Sequence, residues 1–408
     1  MVMHERFAEE SSTGETWSGR LLFLSTLVGT ILVDSWLFRS AWGSEPWLAP
    51  QASAYTGFFL VLVGFVAYSI VSRFPVRHAI RSIPIPFLVL FGGYWLALAG
   101  NFLLTQRTPI LEYLLVTPTA AYVTIVLLPY YIDRDRVFFA KAIATLAVSL
   151  TVLGGVLLEV EKRTEERLWI FTGQDVMTFE GLRISSLFAY SDTFGFVMMI
   201  GCLTTLYVVL EERNVLWAGV LGISFLGLLL SEADASYVGL FLGAVLLSTA
   251  YDLRYTIGLV SIGAVAVAYM ASIGHVGAHL ESGFNERTPL WRASLLRLAE
   301  DPLTGIGFGD TAAEIEPYIE GRRPTGPHNS YINILLNTGV VAGGLYLTAL
   351  WYAAVRPILG ERSAWNRYLL ATLLAIFVVM VFETTTLGGL SSMSVFLGLY
   401  VGLALRSR

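Results

Sequence analysis

The chain has 408 residues, of which 55% are hydrophobic and 14% are charged, whereas soluble domains carry about 25% charged residues. This composition excludes a soluble globular protein, and repeated apolar runs of about 20 residues predict an all-α polytopic membrane protein. The net charge of −5 gives no indication of nucleic-acid binding. The single cysteine, Cys202, lies in an apolar run, and one cysteine excludes an intramolecular disulfide bond.

Taken in chain order, the apolar runs predict about twelve membrane-spanning helices. The predicted spans lie near 20–38, 54–72, 84–104, 111–131, 138–158, 190–210, 215–231, 235–251, 254–273, 329–354, 366–383 and 388–405. The stretch before them, "MVMHERFAEESSTGETWSGR", is polar and has no small-residue cleavage pattern, so it does not indicate a signal peptide. We expect the first span to serve as its own insertion signal.

Lysines and arginines in the loops predict the orientation, because cytoplasmic loops are enriched in these residues. Basic residues follow spans two, four and ten and also end the chain. They are Arg73, Arg77, Arg81, Arg134, Arg136, Lys141, Arg356, Arg362, Arg367 and the terminal "RSR". Both termini are therefore expected in the cytoplasm of a multi-pass plasma (inner) membrane protein, with the loops after odd-numbered spans on the external face.

This orientation predicts four parts. Residues 1–19 form a polar cytoplasmic N-terminus, and residues 20–273 hold spans one to nine with an external loop at 159–189. Residues 274–327 form a large external loop between spans nine and ten. Residues 328–408 hold spans ten to twelve and a short cytoplasmic tail.

The large external loop is expected to be ordered and partly helical. Its apolar residues recur at helical spacing, which predicts an amphipathic helix at the membrane interface. The recurring residues are Leu290, Trp291, Ser294, Leu295 and Leu298. The glycine-rich stretch "GIGFGD", residues 305–310, lacks the Lys-Ser/Thr of a phosphate-binding loop and follows no strand, so a turn between two loop helices is favoured.

His328 is the first candidate for chemistry. Pro327 fits the first turn of a helix, so His328 is predicted at a helix N-terminus, where the helix dipole favours the neutral imidazole that a general base needs. Asn329, Asn333 and Asn337 follow at intervals of four and form one polar stripe. The alternative is structural: His328 and Asn329 cap the helix, and the asparagines join neighbouring spans.

Three arginines on the external side are candidates for binding phosphate, because a guanidinium group matches phosphate oxygens bidentately. They are Arg183, ahead of span six, and Arg287 and Arg292 in the large loop. Convergence of two or three of them near a helix N-terminus would form a pyrophosphate site. The alternative for each is interfacial anchoring or pairing with a nearby glutamate.

Acidic residues also lie in or near the spans, and intramembrane acids are functional candidates. Most of them are close to predicted span ends, where solvated positions are expected, and Asp34 is the one retained as a candidate. The set is Asp34, Asp192, Glu232, Asp234 and Glu383. No His, Cys or Asp cluster has the spacing of metal ligands, so no metal or other cofactor is expected.

Three stretches together resemble the O-antigen ligase and O-antigen polymerase superfamily of membrane glycosyltransferases. They are "RISSLFAYSDTFGFVMMI", "ERTPLWRASLLRLAEDPLTGIGFG" and "PHNSYINILLNTGVVAGGLYL". Their order and spacing, and the large loop before the His-Asn span, are similar to those of the family. The resemblance covers residues 180–350 and implies a C-type glycosyltransferase-like fold.

The resemblance implies transfer of a glycan from a polyprenyl pyrophosphate carrier to an acceptor hydroxyl, on a glycan or lipid-linked acceptor, in surface polysaccharide (lipopolysaccharide) biosynthesis at the cell envelope. Arg183 and Arg287, with Arg292 as a second candidate in the loop, would bind the pyrophosphate. His328 would activate the acceptor hydroxyl, supported by Asn329 and Asn333. The turn "SEADASY" departs from the family by lacking an arginine. The implied reaction is inverting and metal-independent.

Two other functions remain open at this point. A transporter or flippase for lipid-linked glycans would need polar sites near the middle of the membrane and repeated halves, whereas the polar groups here concentrate on the external side. A structural membrane subunit would use the His-Asn stripe to join helices. Ligase and polymerase share the quoted motifs, so the sequence does not distinguish them, nor does it identify the sugar, the acceptor or the polyprenol.

Overall fold

The protein is built from apolar α-helices. The computed structural model describes residues 13–35, 37–38, 49–71, 76–164, 184–272, 275–319 and 326–407. The helices are α1 (Thr13–Val33), α2 (Gln51–Val71), α3 (Val76–Arg81), α4 (Ile85–Thr105), α5 (Thr108–Ala121), α6 (Leu128–Ile132), α7 (Arg136–Thr164), α8 (Ser191–Glu212), α9 (Val215–Ser231), α10 (Asp234–Ser248), α11 (Leu253–Ser272), α12 (His275–Glu300), α13 (Thr311–Ile315), α14 (Ser330–Leu359), α15 (Ala364–Val379) and α16 (Ser392–Leu405). A π-helical segment, Tyr122–Leu127, joins α5 to α6. Within these ranges there is no β-strand, and an isolated bridge pairs Ser35 with Phe188.

Each predicted span coincides with a helical segment. Among the described residues, six segments are long and apolar enough to cross a membrane. They are Gln51–Val71, Ile85–Thr105, Thr108–Ile132, Arg136–Val160, Ser191–Glu212 and Ser330–Leu359. The remaining predicted spans are apolar helices of 10–17 residues. The prediction of a helical, polytopic membrane protein is therefore confirmed, while the number of twelve spans stays a prediction.

Helix α8 is largely buried in the helical assembly, whereas α2 and α4 are largely exposed. Phe194, Phe196 and Met198 of α8 are fully buried, whereas Leu60 of α2 and Leu103 of α4 are 61% and 75% exposed. Apolar side chains on an exposed helix face require a nonpolar solvent. The outer faces of α2 and α4 are therefore the surfaces suited to lipid.

Helix α12 contains the predicted amphipathic helix, but its apolar face packs against protein. Ala293 and Leu298 are buried in a small cluster with Ile306 and Leu336, while Leu295 is 49% exposed. The turn after α12 folds back onto α14 and supplies this face with a protein partner. The sequence therefore predicts correctly that this helix is amphipathic. It does not determine whether the apolar face contacts the membrane interface or other parts of the protein, because periodicity is the same in both cases.

Helix α14 is broken at Gly339, where φ is 77° and ψ is 171°. The turn after α12 inserts at this break. The amide of Ile306 donates a hydrogen bond to the carbonyl of Leu336, and the amide of Val340 donates one to the carbonyl of Pro302, both at 2.8 Å. The break separates a polar first segment of α14 from an apolar second segment.

We expect Gly339→Ala to destabilise the protein by about 3 kcal/mol, because it combines a positive φ with a steric clash. A Cβ at this position would overlap the carbonyl oxygen of Leu303. The matched control is Gly344→Ala on the same helix, where a Cβ would meet nothing within 4 Å and where the change should stay within about 1 kcal/mol. Unfolding of the purified proteins measures both, and equal stability of the two variants would contradict the account.

Candidate functional site

A large cavity lies where α14 and α16 begin, with a volume of about 1170 Å³. Its wall combines the end of α1, the first turns of α5 and α8, the middle of α12, the start of α14 and the connection between α15 and α16. Its ionisable residues are Asp34, Glu112, Asp192, Arg287, His328 and Glu383. Side chains that are far apart in the sequence therefore share one concave space.

The connection between α15 and α16 holds Glu383 beside the start of α14. The amide of Ser330 donates a hydrogen bond to the carbonyl of Met380 at 2.8 Å. The hydroxyl of Ser330 donates to the carbonyl of Glu383 at 2.6 Å and accepts from the amide of Thr385 at 2.9 Å. Since all three bonds use the first residue of α14, they fix the position of Glu383 relative to the neighbouring His328.

Glu383 bridges Arg287 and His328. Its Oε1 lies 3.4 Å from Nη2 of Arg287, and its Oε2 lies 4.0 Å from Nδ1 of His328. The carboxylate side chain is 17% exposed, against 30% for Arg287 and 40% for His328. The arginine also lies over the ring of Phe382, with Cζ 5.3 Å from the ring centroid. We call Arg287, Glu383 and His328 the Arg-Glu-His triad.

Helix α14 begins later than the sequence predicts. Asn329 is its N-cap, and the Asn329 side chain accepts a hydrogen bond from the amide of Ile332 at 3.0 Å, as asparagine favours at this position. Pro327 and His328 therefore precede the helix, and His328 has a φ of 43°. The Pro327 carbonyl accepts a hydrogen bond from the indole N–H of Trp291 at 2.9 Å, which ties the His328 backbone to α12.

The predicted asparagine stripe is present and buried. Asn329 and Asn333 are 6% and 9% exposed, and Asn337 is 2% exposed. The side-chain amide of Asn337 donates to Oδ1 of Asn333 at 3.0 Å, so these two bind each other. Asn333 also lines the cavity. Asn329 thus caps the helix, as the structural alternative predicts, whereas Asn333 lines the candidate site.

Of the three predicted phosphate-binding arginines, Arg287 lines the cavity. Arg183 lies outside the described residues, although Ile184, directly after it, donates its amide to the Leu230 carbonyl at 2.7 Å. Arg292 is exposed on α12 and does not line the cavity. It follows Arg287 by five residues, which turns it by about 140° around the helix. The geometry therefore favours Arg287 over Arg292 as the loop arginine.

Two of the acidic residues near the span ends make tertiary contacts: Asp34, the retained candidate, and Glu383, which the sequence predicts to be solvated. Asp34 is 3% exposed, and its Oδ2 accepts a hydrogen bond from the amide of Ser392, at the N-terminus of α16, at 2.6 Å. Glu383 is the central member of the Arg-Glu-His triad. The sequence signal for both is an acid at the end of an apolar run, and it does not reveal the tertiary contacts that bury Asp34 and partly bury Glu383.

The stretch "GIGFGD" forms a turn between α12 and α13, as predicted. Its amides are engaged by the protein: Gly305 donates to Asp301, and Gly307 donates to Asn337 at 2.9 Å. These N–H groups therefore do not point at a phosphate. The turn instead brings Phe308 to the cavity wall, where it stacks on Tyr113 at a centroid distance of 4.0 Å.

The comparisons with known proteins agree with the resemblance found in the sequence. A family model described as O-antigen ligase matches residues 182–347. The matched segment includes α12, His328 and the first part of α14. Glu383 lies beyond its end. No curated protein matches the chain.

Proposed function

We propose that this chain, whose residues 182–347 match the O-antigen ligase family model, transfers a glycan from a polyprenyl pyrophosphate carrier to an acceptor hydroxyl. The family supports a membrane glycosyltransferase-like role in polysaccharide biosynthesis. The observation that carries the finer proposal is the Arg-Glu-His triad in the wall of the large cavity. In glycosyl transfer, negative charge builds on the leaving pyrophosphate and a proton leaves the acceptor hydroxyl. A cation can stabilise the first, an imidazole can accept the second, and a carboxylate can stabilise the imidazolium that results.

Arg287 is proposed to bind the pyrophosphate of the donor. A guanidinium group carries five N–H donors, and the contact with Glu383 involves Nη2. The other donors can pair with phosphate oxygens in the bidentate geometry that arginine favours. The negative charge that builds on the leaving pyrophosphate is thereby stabilised where it develops. Arg183, directly before the segment that contacts α1 and α9, is the proposed second contributor.

His328 is proposed to act as the general base. Its imidazole takes the proton of the acceptor hydroxyl while the hydroxyl oxygen forms a bond to the anomeric carbon of the donor sugar. The bond between that carbon and the pyrophosphate oxygen breaks, and the polyprenyl pyrophosphate leaves as an anion. Direct displacement inverts the anomeric centre. The positive charge is supplied by arginine, so the proposed reaction uses no metal ion.

Glu383 is proposed to orient His328 and to stabilise the imidazolium formed during the transfer, in the manner of the carboxylate in a Ser-His-Asp triad. Its backbone is fixed by the three hydrogen bonds of Ser330. The Nδ1–Oε2 distance of 4.0 Å exceeds a hydrogen bond, and such contacts commonly shorten when substrate binds. Glu383 is thus a positioning residue for the proposed base.

We expect Glu383→Gln to lower kcat about 100-fold, because the amide keeps the shape of the side chain but removes the charge that stabilises the imidazolium. KM for the acceptor should change little, since the carboxylate does not contact the acceptor in this account. The matched control is Glu316→Gln, an exposed residue that does not line the cavity. Initial rates of the purified proteins measure the effect. A Glu383→Gln enzyme with normal kcat would remove this residue from the mechanism.

The donor is proposed to enter from the external leaflet, with its polyprenyl tail between helices. The cavity lies at the ends of α14 and α16 opposite to those that carry Arg356 and Arg406. Because basic residues mark the cytoplasmic side, this separation supports an external active site and cytoplasmic termini.

The function is tested with the purified full chain in liposomes that contain polyprenyl-pyrophosphate-linked glycan and an acceptor. The proposal predicts release of polyprenyl pyrophosphate that requires the acceptor, with an inverted glycosidic linkage in the product and an unchanged rate in the presence of EDTA. A flippase would instead move the intact lipid-linked glycan across the bilayer without releasing the carrier. That result would overturn the proposed function.

A further inference from the structure

A second cavity of about 350 Å³ lies at the opposite ends of α14 and α16. Four arginines line it, contributed by α3, by the turn after α6, by the last turn of α14 and by the residue after α16. They are Arg81, Arg134, Arg356 and Arg406. None of these residues takes part in the proposed glycosyl transfer, so their convergence calls for a separate explanation.

The positive charge of this arginine cavity is not balanced by the residues that line it. Among the residues of the wall that the structure describes, Asp133 is the one acidic residue, and its carboxylate is shared between a salt bridge with Arg136 and electrostatic attraction to Arg406. The C-terminal ends of α6, α14 and α16 supply only partial negative charge from their last carbonyl groups. The described lining residues therefore carry a net positive charge.

In the inner part of the arginine cavity, some polar atoms bind backbone carbonyls and others have no hydrogen-bond partner. Nη2 of Arg406 donates to the carbonyls of Ala79 and Val126 at 3.2 and 2.9 Å, and Nη2 of Arg356 donates to that of Ser407 at 3.4 Å. Within the described part of the chain, the buried Nε atoms of Arg356 and Arg406 and the Ser407 hydroxyl have no hydrogen-bond partner. Burial lowers the pKa of Arg406 to about 10, so its guanidinium is still charged at neutral pH.

We propose that the arginine cavity binds a phosphate group, and that its source is the headgroup of an anionic phospholipid. Guanidinium groups match phosphate oxygens, and basic pockets between spanning helices on the cytoplasmic side suit anionic headgroups. In the orientation proposed above, the ends of α14 and α16 that carry this cavity would lie at the depth of the cytoplasmic headgroups. Inorganic phosphate shares the same chemistry, and the test separates the two sources.

The experiment follows the thermal unfolding midpoint of the full chain in neutral detergent, because a ligand that binds the folded protein raises this midpoint. Phosphatidylglycerol, phosphatidylcholine and potassium phosphate are titrated separately, the last against potassium chloride at equal ionic strength. The variants are Arg81→Gln/Arg356→Gln and the matched control Arg362→Gln, an exposed arginine near the end of α14 that does not line the cavity.

The proposal predicts that phosphatidylglycerol raises the midpoint of the wild-type protein and of Arg362→Gln, and that phosphatidylcholine does not. The double variant should need about 25-fold more phosphatidylglycerol, since each basic residue near an anionic headgroup contributes about a factor of five. A rise with potassium phosphate alone would support the phosphate site but overturn the lipid source. Equal responses of the double variant and the control would overturn the site itself.

A double variant that fails to fold is replaced by Arg81→Gln alone. Arg81 is exposed at the end of α3, so its replacement leaves the buried part of the cavity intact. This variant should need about fivefold more phosphatidylglycerol than Arg362→Gln. An unchanged requirement would count against the proposal, and the outcome is independent of glycosyl transfer because it measures binding on the opposite side of the protein.

Discussion

Replacement of His328 by alanine or by asparagine should abolish glycan transfer while the protein stays folded. The imidazole is 40% exposed in the wall of the large cavity, so neither substitution removes a core contact. Loss of a general base costs about 100-fold to 10,000-fold in rate. Asparagine keeps polar atoms at the position but does not accept a proton, so both variants should lose activity to a similar degree.

The measurement is acceptor-dependent release of polyprenyl pyrophosphate, with the unfolding midpoint of each variant as a control for folding. His275→Asn is the matched substitution, because it replaces another histidine of the chain, twelve residues before Arg287 in the sequence. It should keep wild-type activity. An active His328→Asn protein would show that the imidazole does not accept the proton of the acceptor.

Arg287→Lys should lose most of the activity even though the positive charge is retained. Lysine presents a single ammonium group, which does not reproduce two parallel hydrogen bonds to phosphate oxygens. A lost hydrogen bond between charged partners costs about 1.5–3 kcal/mol, which corresponds to a decrease of about 10-fold to 150-fold in kcat/KM. Both kcat and the apparent affinity for the donor should fall, because the proposed contact exists before the leaving group departs and strengthens as it departs.

Arg292→Lys is the matched control for Arg287→Lys. It makes the same substitution five residues later on α12, at an exposed position outside the cavity wall, and should change the rate little. Steady-state rates over a range of donor concentrations separate kcat from KM for each variant. Full activity of Arg287→Lys together with loss in Arg292→Lys would transfer the phosphate-binding role to Arg292.

Much of the fold can be predicted from the sequence because the membrane imposes a simple rule. Spanning segments satisfy their own backbone hydrogen bonds as helices and present apolar side chains to lipid. A long apolar run such as 191–212 can therefore be recognised in the sequence as a candidate span. The turn at 305–310 is likewise predictable, because its glycines favour a turn and the stretch lacks the residues of a phosphate-binding loop. These features depend on short stretches of chain.

The parts that sequence reasoning misses depend on contacts between distant segments. Glu383 approaches His328 only because Ser330 binds the connection between α15 and α16. The break at Gly339 lies where the turn near Leu303 packs against α14. The sequence pattern of α14 does not predict this break. The start of α14 at Ser330, with Pro327 and His328 before the helix, depends on the choice of Asn329 as the N-cap.

The central claim, that the Arg-Glu-His triad is where the pyrophosphate leaves and the acceptor is activated, is tested most directly by a structure of the His328→Ala variant with its lipid-linked donor bound. The account predicts phosphate oxygens within about 3 Å of the Arg287 guanidinium and the anomeric carbon facing position 328. A pyrophosphate bound elsewhere, with Arg287 contacting only Glu383, would contradict it.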